Sequence, residues 1–290
     1  MGILKKIFRP LFPFFFRLFL YKQKICRRKK FLILWNRGLG DIPLGLYGLN
    51  QRIREIIPDA KITYLTRSDL TFGFSLLEGC SILEDVTLQR GKNYSISKDV
   101  TKNYDVILLK PNPTDWLKDQ LKKITPKLNL KKEVEKKDFL TIGLHVQTET
   151  DQYYGYEKNW PKKSFQELIA KLNERNIKPY LFGLKKDQDF EHLQVNDVRG
   201  EKNLTEVLQI ILQECDILIA PDSGILSIVY YLDCQFDLNI ISIWSDPFQG
   251  ILKQGVDSPN KKLKHQALIS KNLSELSTDT VFKAIESIRI

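Results

Sequence analysis

The chain has 290 residues, 42% hydrophobic and 28% charged. That is enough for one large or two medium α/β domains with a buried core, and it is not the composition of a disordered or fibrous protein. The formal net charge of +10 resembles a nucleic-acid signature, yet residues 1–30 hold ten Lys and Arg and no acid, so the remainder balances at 35 basic against 35 acidic residues and is not read as a polyanion binder.

The first thirty residues, MGILKKIFRPLFPFFFRLFLYKQKICRRKK, mix Phe and Leu with Lys and Arg. The apolar stretch Leu11 to Tyr21 is too short to span a bilayer and is interrupted by Pro13 and Arg17. No small-residue cleavage site follows, and Lys6 stands where myristoylation needs Ser or Thr. The expectation is an in-plane anchor, with aromatics in the headgroup boundary and Lys22 to Lys30 against anionic lipid. The alternative is a disordered or core-packed extension with a solvated basic segment. Exposed Phe14, Phe15 and Phe16 would then be an aggregation liability.

From residue 31 the pattern is that of alternating strands and helices. FLILWN (31–36) reads as a buried parallel strand, followed by RGLGD and a helical pattern from Leu44 to Ile57. AKITYLT, VTLQR (86–90) and YDVILLK (104–110) continue as strands. The charged stretch 127–138 reads as a linker, and the pattern then restarts. FLTIGLHV (139–146), KPYLFG, DILIAPDSG and NIISIWSD read as strands. KKSFQELIAKLNER (162–175), LTEVLQIILQEC and Asp279 to Ile288 read as helices, the first with Phe165, Leu168, Ile169 and Leu172 on one face. Two doubly wound parallel-sheet halves are expected, 31–126 and 139–290, with ligands outside the carboxyl ends of their strands and both edges on a common cleft.

Three motifs carry chemistry. In GLGD, Gly38 and Gly40 permit positive φ and close approach to the backbone. Asp41 is either a helix N-cap or a carboxylate that takes a proton from an incoming hydroxyl. A dinucleotide fingerprint would need glycine where Pro43 stands. In APDSGILS (220–227), Asp222, Ser223 and Gly224 open a helix and suit a phosphate, or simply cap it. The polar loop QTETDQYYGYEKNWP (147–161) ends on Lys158, which either neutralises a leaving phosphate or is solvated. Four scattered cysteines (Cys26, Cys80, Cys215, Cys234) and three distant histidines suggest neither a disulfide framework nor a metal site, and read as reduced thiols in a cytosolic compartment.

GLGD after the first strand, KNWP early in the second half, FG after the next strand, PDSG before a late helix and SDP at 245–247 together resemble glycosyltransferase family 9, the lipopolysaccharide heptosyltransferases, over residues 31–290. The resemblance implies a GT-B fold of two Rossmann-like domains facing a central cleft, with the acceptor bound by the N-terminal half and a nucleotide sugar by the C-terminal half. It implies inverting transfer without metal or cofactor, expected from ADP-heptose onto a lipid-linked glycan acceptor. Asp41 is then the general base, with Arg37, Gly38 and Gly40 in the acceptor-side loop. Lys158, Asp222, Ser223, Gly224, Ser227, Gly183 and Thr148 (or Thr150) meet the donor. Ser227 stands where the family usually carries His, and a serine cannot be cationic. The longer connection LDCQFDLNI (232–240) and the lysines Lys185 and Lys186 after FG are further departures. The expected location is cytoplasmic, peripheral on the inner face of a bacterial inner membrane, with no nucleic-acid partner. Two alternatives remain: a lapsed relative that binds glycolipid or partner enzymes, and a nucleotide-dependent oxidoreductase, which Pro43 disfavours.

Overall fold

The computed structural model describes residues 12–89, 92–109, 127–128, 140–148 and 156–288. The chain divides into two compact units. The first comprises Met1–Leu130 with Tyr231–Asp233 and Gln254–Pro259, and the second comprises Lys131–Tyr230, Cys234–Lys253 and Asn260–Ile290. The expected linker 127–138 and the hydroxyl of Thr150 lie almost wholly or wholly outside the described residues.

Unit one opens with helix α1 (Phe12–Ile25), in which Pro13 sits in the first turn. A proline there loses a hydrogen bond that the helix end lacks anyway. Strand β1 (Lys30–Trp35) has five successive buried residues, as a strand covered on both faces must. A π-helical turn (Ile42–Leu46) leads into α2 (Tyr47–Ile56), then β2 (Lys61–Thr66), the short α3 (Thr71–Ser75), β3 (Cys80–Glu84), α4 (Lys98–Thr101) and β4 (Val106–Leu109). The described strands form a parallel sheet in the order β3-β2-β1-β4. VTLQR is not the expected strand. The strand lies just before it, and Asp85 stops it by accepting hydrogen bonds from the Thr87 amide (2.8 Å) and hydroxyl (2.6 Å). An Asx turn offers the backbone a local partner in place of the ladder.

Unit two contains β5 (Ile142–His145), α5 (Lys162–Glu174), β6 (Tyr180–Phe182), β7 (Asn196–Asp197), α6 (Leu204–Glu214), β8 (Ile217–Pro221), α7 (Gly224–Tyr230), β9 (Leu238–Trp244), α8 (Gly250–Gln254), β10 (Leu263–Ile269) and α9 (Thr278–Ile288). The sheet is parallel throughout, in the order β10-β9-β8-β5-β6-β7. Counted from β5, this is the doubly wound order 3-2-1-4-5-6. Helix α5 buries Phe165, Leu168, Ile169 and Leu172, the face expected from their spacing, against a core that includes Ile142, Leu144, Leu181 and Ile219. Strand β10 had no clear signature: LKHQALI is an edge strand, and its exposed positions carry the polar Lys264 and Gln266 but also Ile269.

The order of unit two reverses between β5 and β8. A crevice opens at such a switch point because the connections leave to opposite sides. The segments that follow β5 and β8 are the Lys158 loop and PDSG. In unit one the RGLGD loop follows β1, between β2 and β4, the equivalent place.

Candidate active site

In unit two the two motifs meet. The Lys158 Nζ lies 2.8 Å from Asp222 Oδ2, with both side chains buried, and the Tyr156 hydroxyl donates to the same oxygen at 2.5 Å. The Lys158 ammonium also stands 5.0 Å from the Tyr156 ring centre. Removed from water, a carboxylate and an ammonium need each other and further hydrogen bonds to offset desolvation. The lysine is therefore neither solvated nor loose.

The loop that carries it is pinned at successive residues. Trp160 is buried, meets Phe165 edge-on at 4.9 Å and donates its indole N–H to the Leu276 carbonyl at 2.9 Å. Asn159 exchanges two hydrogen bonds with the Thr148 backbone, at 2.7 and 3.1 Å. The Glu157 carboxylate accepts from the Leu273 amide at 2.9 Å, and its carbonyl accepts from the Ser245 hydroxyl. The Thr148 hydroxyl is buried and has no hydrogen-bond partner among the described residues. An unsatisfied buried hydroxyl is costly, and a bound ligand is one way to satisfy it.

Ser223, not Asp222, caps α7: its hydroxyl accepts from the Leu226 amide at 3.1 Å. The same Oγ lies 3.1 Å from His145 Nδ1. Burial pushes the His145 imidazole down to about 4, against a hydrogen bond from the ring to the Gln147 backbone, so the ring is neutral at pH 7. Ser223 can then donate to Nδ1, with the ring proton on Nε2. Ser227 is buried and its hydroxyl donates back to the Ser223 carbonyl at 3.1 Å, within the helix. Gly224 begins α7.

Gly183 follows β6 and has ordinary backbone conformation. A Cβ there would come within 3.3 Å of the buried Arg199 side chain. Arg199 holds Asp187 and Asp197, each at 2.8 Å, and lies 4.7 Å from the Phe190 ring centre. Burial alone would raise the Asp187 carboxyl, but Lys162 and Arg199 outweigh it and hold it well below the usual carboxylate range. Gly183 thus packs against a charged buttress.

In unit one Asp41 precedes the π-helical turn. It is already in the helical region of backbone space and its side chain makes no capping hydrogen bond, so the N-cap reading fails. Pro43 stands in the first two positions of this turn, where no backbone donor is needed, and π turns are frequent at functional sites. Neither Gly38 nor Gly40 adopts positive φ; among described glycines only Gly79, Gly200, Gly250 and Gly255 do. The loop is framed from below instead. Trp35 donates to the Gly38 carbonyl at 3.4 Å, Arg37 stands 5.7 Å from the Trp35 ring centre, and a Cβ on Gly73 would strike Leu39 at 2.5 Å. At the carboxyl ends of β1 and β2, Asn36 Oδ1 and Thr66 Oγ1 are buried without hydrogen-bond partners.

Sequence reading missed several residues of the unit-two site. Tyr156 was legible in principle: two positions before Lys158, it falls on the same side of an extended segment. Gly250 was not. Its φ is +46°, and a Cβ would lie 2.4 Å from Asp222 Oδ1 and 2.7 Å from the Trp244 ring. Glycine lets the chain close over the aspartate. His145 offered only a lone histidine at a strand end.

Residues 100–230 match the sequence profile of Glycosyltransferase family 9 (heptosyltransferase), a span that includes both segments of the unit-two site. That stretch of the chain is similar to the family-9 glycosyltransferases. A comparison with curated protein sequences finds no match. Among solved structures, ADP-heptose LPS heptosyltransferase II of E. coli is 12% identical with a TM-score of 0.61, covering 89% of this chain and 98% of that one. A family-9 glycosyl transferase from Veillonella parvula is 15% identical with a TM-score of 0.59, covering 90% and 97%. The E. coli heptosyltransferase WaaC with ADP is 14% identical with a TM-score of 0.51, covering 89% and 99%. The two parallel-sheet units and these likenesses give a GT-B fold.

Proposed function

We propose that this glycosyltransferase moves a sugar from a nucleotide sugar, with ADP-heptose the expected donor, onto a lipid-linked acceptor of a cell-surface glycan. The observation that carries the donor half of the reading is the buried Lys158–Asp222–Tyr156 cluster at the switch point of unit two. A solved structure of similar fold holds ADP, which favours an adenine nucleotide.

Lys158 turns its ammonium to the donor diphosphate and stabilises the charge that grows on it as the bond to the anomeric carbon breaks. Asp222, relieved of Lys158, keeps the Tyr156 hydroxyl and accepts a hydroxyl of the sugar. The Thr148 hydroxyl supplies a further donor. Asp41 takes the proton of the acceptor hydroxyl as its oxygen bonds to the anomeric carbon from the face opposite the diphosphate. The products are the inverted glycoside and the nucleoside diphosphate. Protein cations take the part of a metal in this scheme. Arg37 and the polar atoms of Asn36 and Thr66 hold the acceptor in unit one.

The test is thermal stability of the whole chain against ADP, UDP, GDP and CMP species and their sugars, followed by transfer from the stabilising donor. A donor at a hundred times its dissociation constant adds about 2.7 kcal/mol. Stabilisation by ADP-heptose that Asp222→Ala removes supports the reading; a preference for another base keeps the mechanism and changes the donor. The second reading is a lapsed enzyme. The confinement of Ser227 within its own helix favours it, since no cation stands at that place. Donor binding without transfer to any lipid acceptor would support it.

A further inference from the structure

Helix α1 has two apolar faces. One is turned into unit one: Phe16 and Leu20 are buried together with Gln23, and the helix packs on α2. The other is not covered. Phe14, Phe15, Leu18, Tyr21 and Ile25 are 45–82% exposed, five of the eleven large exposed hydrophobic residues in the described chain. Phe14, Leu18, Tyr21 and Ile25 recur at four, three and four residues, so they form one continuous stripe along the outer side. Arg17 and Lys24 border this stripe on one side and Lys22 on the other, all exposed.

The helix end extends the charged border. Arg27 adopts φ +55°, and the Arg28 amide donates to the Gln23 carbonyl at 3.0 Å, a turn that stops the helix and fixes the chain direction. Arg27, Arg28 and Lys30 follow as exposed residues. No acid falls anywhere in residues 1–30.

We infer that this outer face docks on an anionic phospholipid surface, with the axis of α1 parallel to the membrane. Fourteen residues make a helix of about 21 Å, too short for the roughly 30 Å hydrocarbon core. The inner face is already committed to unit one, so only the outer stripe can enter the headgroup boundary, while the bordering cations meet phosphate oxygens. A second copy fits less well. A two-fold contact through this stripe would set two rows of like charges against each other. Residues 12–30 are therefore not a detachable tail. α1 is a rigid part of unit one, and it fixes which side of that unit lies on the membrane. The lipid-linked acceptor of the proposed function gives this surface its purpose, but the surface is read from α1 alone.

The test is flotation of the full chain with vesicles of phosphatidylcholine, with and without about one-third phosphatidylglycerol, at low and high salt. The chain should float with the anionic vesicles only, and less at high salt. The combined variant Phe14→Ser, Leu18→Ser, Ile25→Ser should stay at the bottom while its melting temperature and its nucleotide response match the parent. Lys22→Gln with Lys24→Gln should weaken partitioning about 30-fold, from roughly 1 kcal/mol per basic residue. Flotation of the serine variant like the parent would overturn the inference. So would a parent that ignores vesicles, or a parent dimer that the serine variant disrupts. Because the nucleotide response is read separately in unit two, its loss would count against the donor reading and leave the membrane surface standing.

Discussion

The two candidate sites occupy equivalent places in their units, each after the first strand of a doubly wound sheet, and they are built in opposite ways. In unit two the charged groups are buried, paired and pinned from several directions: Lys158 on Asp222, Trp160 in the core, Asn159 on Thr148, Arg199 under Gly183. In unit one Asp41 is half-buried on a π-helical turn, with no capping bond. A site that receives a compact dianionic group gains from dipoles and cations fixed beforehand. A carboxylate that must collect a proton needs access to the hydroxyl that gives it up. The contrast predicts that damage to unit two is felt in stability and binding, and damage at Asp41 in turnover.

The largest effect expected is on transfer itself. Asp41→Asn should reduce turnover by a factor on the order of 10²–10⁴, with the melting temperature and donor stabilisation unchanged. A matching loss of donor binding would break the division of roles. Next is Lys158→Ala, which leaves Asp222 buried without its cation. Denaturant unfolding should show about 3–5 kcal/mol of lost stability, and donor stabilisation should vanish. Gly250→Ala should follow, since the left-handed backbone alone costs about 1–2 kcal/mol for a residue with a Cβ and the new methyl would displace Asp222; a melting scan and a nucleotide titration should fall together.

The smallest and most selective effect is that of pH. All three histidines lie in unit two, and burial pushes both His145 and His265 down to about 4. The unfolded chain binds these protons near the ordinary value of 6.5 and the folded chain does not. The stability they contribute is therefore whole above pH 6.5, falls as pH drops, and changes no further below about 4. Hydrogen exchange should show unit-two peptides loosening across this window, with no histidine contribution in unit one. His145→Asn should flatten the slope in unit two.

Much of this was visible in the residues. Continuous apolar runs such as FLILW and ILIAP mark buried parallel strands because only a strand covered on both faces needs apolar residues at every position. The face of α5 followed from four apolar positions at helical spacing. The Asp85 turn and strand β10 were less legible. In the first, a side-chain hydrogen bond ended the ladder early; in the second, an edge position allowed a polar pattern with no clear period.

The sequence by itself determined the alternation of strands and helices, the places of GLGD, KNWP and PDSG along it, and the confinement of the excess charge to the first thirty residues. These follow from spacings of a few residues, which the local geometry of helix and strand converts directly into faces and ends. Only the tertiary structure decided that Tyr156 and Lys158 close on Asp222, that Gly250 makes room for it, that Ser223 rather than Asp222 caps α7, and that α1 carries one buried and one open apolar side. Tyr156 and Asp222 are 66 positions apart. What brings them together is the order of β5 and β8 in the sheet, and strand order depends on how distant apolar surfaces pack, which no local pattern records.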